Sequence, residues 1–234
     1  MALPTWRAAG AFAHGLTSAV SVSLPTGHAA NDILLLFTET SGLTPTIPGG
    51  WVEVTNSNQV TTTTITRMNC FWKRDSGAET DPISVTAESN HVGAIIHAFT
   101  GCETSGNPWN ITAGSIDDTL DNSLSIATMT TTVNDCLIVY VSTTDTDIGT
   151  ARWGSEANTN LGSVAERSDD STTDGNGGGI GVWTGTLVTA GATGTFTATA
   201  VANTRKGFME IALMPPQGGA SIAPLLVSHR QHWA

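Results

Sequence analysis

Short apolar stretches separated by Gly, Pro, Asn and Ser recur along the whole chain, and none of them carries a helical period. They predict strands near 19–24, 32–39, 50–55, 65–74, 83–87 and 92–100. A second set is predicted near 122–129, 135–142, 162–167, 178–188, 194–201 and 206–214. Without crossover helices a parallel α/β fold is excluded, which leaves a sandwich or barrel. One strand differs from the rest. In HAANDILLLF (residues 28–37), Ile33, Leu35 and Phe37 point to one face, and Leu34 and Leu36 to the other. A strand apolar on both faces is covered on both, by a loop, another part of the chain or a neighbouring subunit. Asn31-Asp32 before it favours a turn, because Asx side chains bond nearby backbone and tolerate left-handed conformations.

The same phrase returns as TTVNDCLIVY (residues 131–140), and the match continues on both sides. SVSLPTGHAAND (21–32) parallels SLSIATMTTTVND (123–135), and CFWKRDSGAETDPISVTA (70–87) parallels GVWTGTLVTAGATGTFTATA (181–200) with small insertions. GAIIHAF (93–99) parallels GFMEIAL (207–213). Asn31, Trp72 and Gly93 keep the order of Asn134, Trp183 and Gly207, so an internal duplication is expected, with halves at about 15–101 and 117–216. The expected fold is all-β, a jelly-roll-like β-sandwich built from these two halves over residues 1–216. Trp72 and Trp183 should then superpose.

Composition narrows the function. Of 234 residues only 12% are charged, with 20 acidic against 9 basic side chains and a net charge of −11. That field repels a phosphate backbone, and no basic stripe offsets it, so no nucleic-acid partner is expected. No apolar run approaches a membrane span, and the N-terminus lacks the layout of a signal peptide; a protein made in a cytoplasm is expected. Cys70, Cys102 and Cys136 are too widely spaced for a zinc site and read as small buried hydrophobes.

Candidate chemistry is sparse. His97 alternates with Ile95 and Phe99 and aligns with Ile211, which makes it a satisfied core histidine. His28 and His91 fall in turns without ligand-spaced partners. The acidic clusters around Asp117, Asp145 and Asp169 fit neither an EF-hand nor a nonapeptide repeat, so solvated loops are expected and no metal. With no nucleophile elbow or Cys/His pairing, no catalytic residues, no cofactor and no enzyme activity are expected. Of seven tryptophans, Trp109 lies in GNPWN between the halves and is the candidate for surface contact. Asp174 and Asn176, in the glycine-rich DDSTTDGNGGG (169–179), are candidates on a flexible hairpin tip.

The phrases HAANDILLLF, IPGGWVEV, CFWKRDSGAETDPISV, IIHAFTGCETSGNPWN and DGNGGGIGVWTG resemble a family of tailed-bacteriophage virion proteins, over about residues 4–216. The resemblance implies a structural protein displayed on a particle, assembled in the host cytoplasm. It is expected to be an outer-capsid decoration protein, or alternatively a tail or fibre component with lectin-like host-surface binding. The expected partners are the major capsid protein or other virion proteins. A homo-oligomer, a trimer, is also expected, because a strand apolar on both faces needs an outer cover. Beyond Pro215-Pro216 the extension 217–234 carries Ile222, Leu225, Leu226, Val227, Arg230 and Trp233, an apolar load unusual for a free tail. It is expected to dock on a partner or a neighbouring subunit.

Overall fold

The computed structural model describes residues 2–16, 19–47, 49–63, 65–87, 90–149 and 152–218. Ile222, Leu225, Leu226, Val227, Arg230 and Trp233, the expected clasp, lie outside the described residues. The first half supplies β1 (Thr5–Ala9), β2 (Ala13–Gly15), β3 (Val20–Val22), β4 (Ile33–Thr40), β5 (Val52–Glu53), β6 (Gln59–Val60), β7 (Arg67–Arg74), β8 (Ile83–Val85) and β9 (Val92–Thr100). The second supplies β10 (Trp109–Ile126), β11 (Cys136–Thr144), β12 (Trp153–Ala157), β13 (Gly162–Thr172), β14 (Gly178–Leu187) and β15 (Phe196–Leu213). The fold is an all-β sandwich of antiparallel sheets, with no helix among the described residues.

Each half builds its own main sheet, and the two are laid out alike. The first has the order β1-β9-β4-β7-β5, the second β10-β15-β11-β14-β13. The main sheets face each other across a central core that includes Ile33, Leu35, Phe37, Val139, Val141 and Ile211. The ribbon β3-β8 covers the far side of the first sheet, closing Val22, Ile83 and Val85 over Leu34 and Leu36. On the second, the distal parts of β10 and β15 bring Leu124, Ile126 and Phe196 over Ile138, Tyr140 and Trp183. The chain therefore alternates between main sheet and outer cover within each half, not between the halves.

This layering explains the doubly apolar strand. Ile33 to Phe37 are all fully buried, the odd positions by the other half and the even ones by the chain's own ribbon. At roughly 1.5–3 kcal/mol per buried apolar side chain, each of these five positions is stabilised by cover from the same chain. The argument for a trimer thus loses its premise, since both covers come from the same chain.

The turn ahead of each phrase is left-handed, at Asn31 (φ 71°) and at Asp135 (φ 58°), one position later in its phrase. The register follows this offset. Leu35 lies opposite His97 and Trp72 in the first sheet; Val139 lies opposite Ile211 and Thr184 in the second. Trp72 and Trp183 therefore sit on corresponding strands but not at corresponding positions. Trp72 packs on the central core and Trp183 in the outer core of its own half, where its counterpart is Phe71. A period of two turns a one-residue offset into a change of face.

Trp109 also departs from expectation. It begins β10 instead of sitting on a loop, and at 8% exposure it packs edge-on to Trp72, ring centroids 5.3 Å apart. A buried indole offers no surface contact.

Candidate functional site

The glycine-rich segment between β13 and β14 is a plug. Asp174 Oδ2 lies 2.6 Å from His14 Nδ1, which also meets Thr172 Oγ1 at 3.0 Å. The backbone N–H of Asn176 donates to Asn90 Oδ1. His91 Nδ1 lies 3.0 Å from Asn176 Oδ1. Asp174 and Asn176 stay at the surface, but their polar ends are engaged with the first half. The glycines here are required by close approach. A Cβ at Gly175 would strike Asn90, one at Gly177 would strike Asp147, and one at Gly178 would come within 2.5 Å of His91 Nε2. A segment whose composition reads as flexible is packed from both sides.

Beneath the plug lies a buried polar cluster at one end of the central core. His91 Nε2 is 2.5 Å from Glu39 Oε2, and both side chains have zero exposure. Thr66 Oγ1 donates to Glu39 Oε1 at 2.9 Å and lies 3.2 Å from Thr143 Oγ1 on the facing sheet. The guanidinium of Arg152, 2% exposed, donates to the carbonyls of Ile148 and Gly178 at 2.9 Å and to that of Thr146. Burial pushes the Glu39 pKa up, partly offset by His91 and Thr66. Burial also pulls His91 down, but the hydrogen bond and charge of Glu39, with the Asn176 bond, outweigh it and leave the imidazole raised. Sealed from solvent, this pair joins β4 to the start of β9 within the first sheet, and Thr143 and Asn176 tie it to the second half. Removing one partner of such a pair typically costs about 3–5 kcal/mol.

The other titratable groups singled out in the sequence are also tied inward. His97 is buried; Trp6 Nε1 donates to its Nδ1 at 3.1 Å and its Nε2 meets Ser168 Oγ at 3.0 Å. Burial, with the charge of Arg167, lowers its pKa to about 3, so the ring is neutral. The buried Lys206 ammonium bridges Asp117 (3.2 Å) and Asp121 (2.9 Å), sitting where a cation would have to go. Asp145 accepts from Thr204 Oγ1 at 2.6 Å and from the Arg205 N–H at 2.9 Å, and Asp169 accepts from the N–H groups of Arg152 and Trp153. Among the described residues no group of three or more His, Cys, Asp or Glu is arranged to hold a metal ion. These acids are satisfied by the chain itself instead of being left to solvent.

Sequence reasoning passed over Glu39, Arg152 and Glu210. Two of them carried a signal: an acid inside ILLLFTET and another inside GFMEIAL break otherwise apolar runs, and such an acid must be buried. Glu210 has zero exposure, and no hydrogen bond of ordinary geometry reaches its carboxyl oxygens, although the hydroxyls of Thr193 and Tyr140 lie close by. Burial raises its pKa to about 7, the hydroxyls of Thr193 and Tyr140 only moderating the effect. Near it, Asn158 Nδ2 donates to Tyr140 Oη at 3.3 Å, and Asn158 also lines an open cleft of about 470 Å³ with Asn160, Thr128 and Gly194.

Comparison with protein-family models, with curated proteins and with solved structures returns no match. The class defined by the fold is an antiparallel β-sandwich whose buried polar chemistry joins its two halves.

Proposed function

We propose that this chain is a structural component of a bacteriophage virion, mounted on the outer capsid as a decoration protein. The observation that carries the reading is the seam. Glu39, His91, Thr66, Thr143 and the plug at residues 172–178 fasten sheet to sheet with no exposure of the ion pair. This is how a rigid displayed part is built. The resemblance of the quoted phrases to tailed-phage virion proteins supports the same reading. The two similarly ordered sheets support a duplicated origin, the sequence match being one residue out of step before β11. A tail or fibre component with lectin-like binding loses its main support, because Trp109, the indole expected to make surface contact, is internal.

Attachment falls to the extension. The last described residues leave the sandwich beside Glu103, whose Oε2 accepts from the Gln217 N–H at 2.6 Å, and Gly218 has open space around it. The test is co-sedimentation of the purified protein with capsids stripped of it, for the full chain and for a chain lacking residues 219–234. Saturable binding to shells that is lost on truncation is expected, with unchanged thermal unfolding. Binding of the full chain to tails or to host-cell glycans, and not to shells, would overturn the reading.

A further inference from the structure

The second half is itself built of two layers, and along one edge they stay apart. β10 forms that edge twice: Ala113 to Ser115 pair with β15 in the main sheet, and Ile126 pairs with Phe196 in the outer cover. β10 is the last strand on this side of the sheet order, so no further strand among the described residues bridges the gap. A cavity of about 160 Å³ lies there, lined by Ala113, Ile126, Ala127 and Phe208 and opening past the exposed Ser115 and Ala127. Ile126 and Phe208 belong to the outer core of this half, and Ala113 packs against it, so the cavity brings that core to the surface. An apolar cavity of about 150 Å³ holds a benzene ring. This one therefore admits one leucine-sized side chain.

We propose that this cavity receives the Leu225-Leu226 run of the chain's own extension and parks it on the sandwich while the protein is free. Reach supports the same chain as donor. Phe208 precedes Met214 by six positions of extended chain, about 20 Å at ~3.3 Å per residue. Glu103 holds Met214 and Gln217 together: its N–H donates to the Met214 carbonyl at 2.8 Å, and its Oε2 accepts from the Gln217 N–H at 2.6 Å. From Gln217 an extended chain carries Leu225 up to about 27 Å, far enough to return to the cavity. The exit lies on the correct side, because Met214 packs against the same outer core as Ala113. Charge favours the return, since residues 219–234 hold Arg230 and no acidic side chain while the whole chain carries −11. A short tether also gives an effective concentration on the order of millimolar, which a second copy in dilute solution does not match. Parked, the run stays out of water until a partner surface draws it out, and the parking itself needs no capsid.

Limited proteolysis of the full chain in dilute solution tests this. Thermolysin, which cuts ahead of large apolar residues, is timed by mass spectrometry at Leu225, Leu226 and Val227, in the protein and in an isolated peptide of residues 217–234. Cleavage tracks the population of the open form, so the protein should be cut at least about tenfold more slowly than the peptide. Ala127→Trp, which fills the cavity mouth from an exposed position, should restore the peptide's rate and leave thermal unfolding unchanged. A second arm serves if that variant fails to fold. Leu226→Cys paired with Ala127→Cys should close a disulfide within one chain under mild oxidation, far faster than Leu226→Cys paired with Leu43→Cys in the first half. Cleavage as fast as in the peptide would overturn the proposal, and so would protection that survives Ala127→Trp, which places the run elsewhere. Protection that grows with protein concentration, or a disulfide formed only between chains, would overturn it in favour of a second copy. No capsid enters these measurements, so their failure and the failure of co-sedimentation with shells are read separately.

Discussion

Replacing Glu210 by Gln should stabilise the protein at neutral pH and leave its stability unchanged in acid. Glu210 lies on β15 opposite Tyr140 and Ala113, fully buried, with no hydrogen bond of ordinary geometry to its carboxyl. At the corresponding place in the first sheet Ile96 faces Leu36, so nothing in the fold demands an acid there. Its pKa is about 7 in the folded chain against 4.5 for an exposed glutamate. At about 1.4 kcal/mol per pH unit that difference corresponds to about 3 kcal/mol. Between those two values the folded chain keeps the proton and the unfolded chain releases it. Wild-type stability therefore falls as pH rises from about 4.5 to about 7, and this contribution is flat above. The Gln variant resembles the protonated side chain and does not titrate. The two proteins should match near pH 4.5 and differ by about 3 kcal/mol above pH 7. For a chain of this length that is roughly 6–12 °C in Tm. Thermal or urea unfolding at several pH values measures it, and the other raised acids cancel because both proteins carry them. Parallel curves at all pH, or a gain already present near pH 4.5, would refute the reasoning.

Three further outcomes follow from packing. Trp109→Ala should lower unfolding free energy by about 3–5 kcal/mol in urea titrations, as for a core aromatic, where a surface indole would lose almost nothing. Gly178→Ala, whose Cβ would press on Glu39 and His91, should lose about 1–3 kcal/mol, whereas Gly49→Ala, with nothing within 4 Å, should stay within about 0.5 kcal/mol. The three free cysteines are buried, and burial raises Cys102 to about 12, Cys136 to about 11 and Cys70 well above its ordinary value. A thiol reagent at mildly alkaline pH should label none of them in the folded protein and all three in denaturant.

Much of the fold was legible because strand structure is written locally. Alternation, Asx-Gly punctuation and the unbroken apolar run at β4 sufficed for an all-β fold with a central strand covered on both sides. Strand limits were less legible. β10 and β15 are single strands of 18 residues that pass from main sheet to outer cover. A local pattern changes face along such a strand and reads as two elements, or as a loop. The repeated phrases matched strands at like places in the two sheets, in step at β9 and β15 but one residue out at β4 and β11 and at β7 and β14. Similarity is scored along the chain, while facing is set by which strand lies opposite.

The site was legible only in fragments. Composition marks DGNGGG as a hairpin, since glycine and Asx residues favour turns wherever they occur. Whether such a turn waves in solvent or fills a gap depends on Asn90, His91 and Asp147, from distant parts of the chain, and no local rule brings these together. The same holds for Glu39 and His91, 52 residues apart and 2.5 Å from each other. By itself the sequence determined the strand class, the apolar layers and the presence of acids inside apolar runs, because these follow from backbone preference and side-chain period. Tertiary structure alone decided which acids gained a proton or a partner, because ionisation depends on the solvent and charges that distant residues remove or supply.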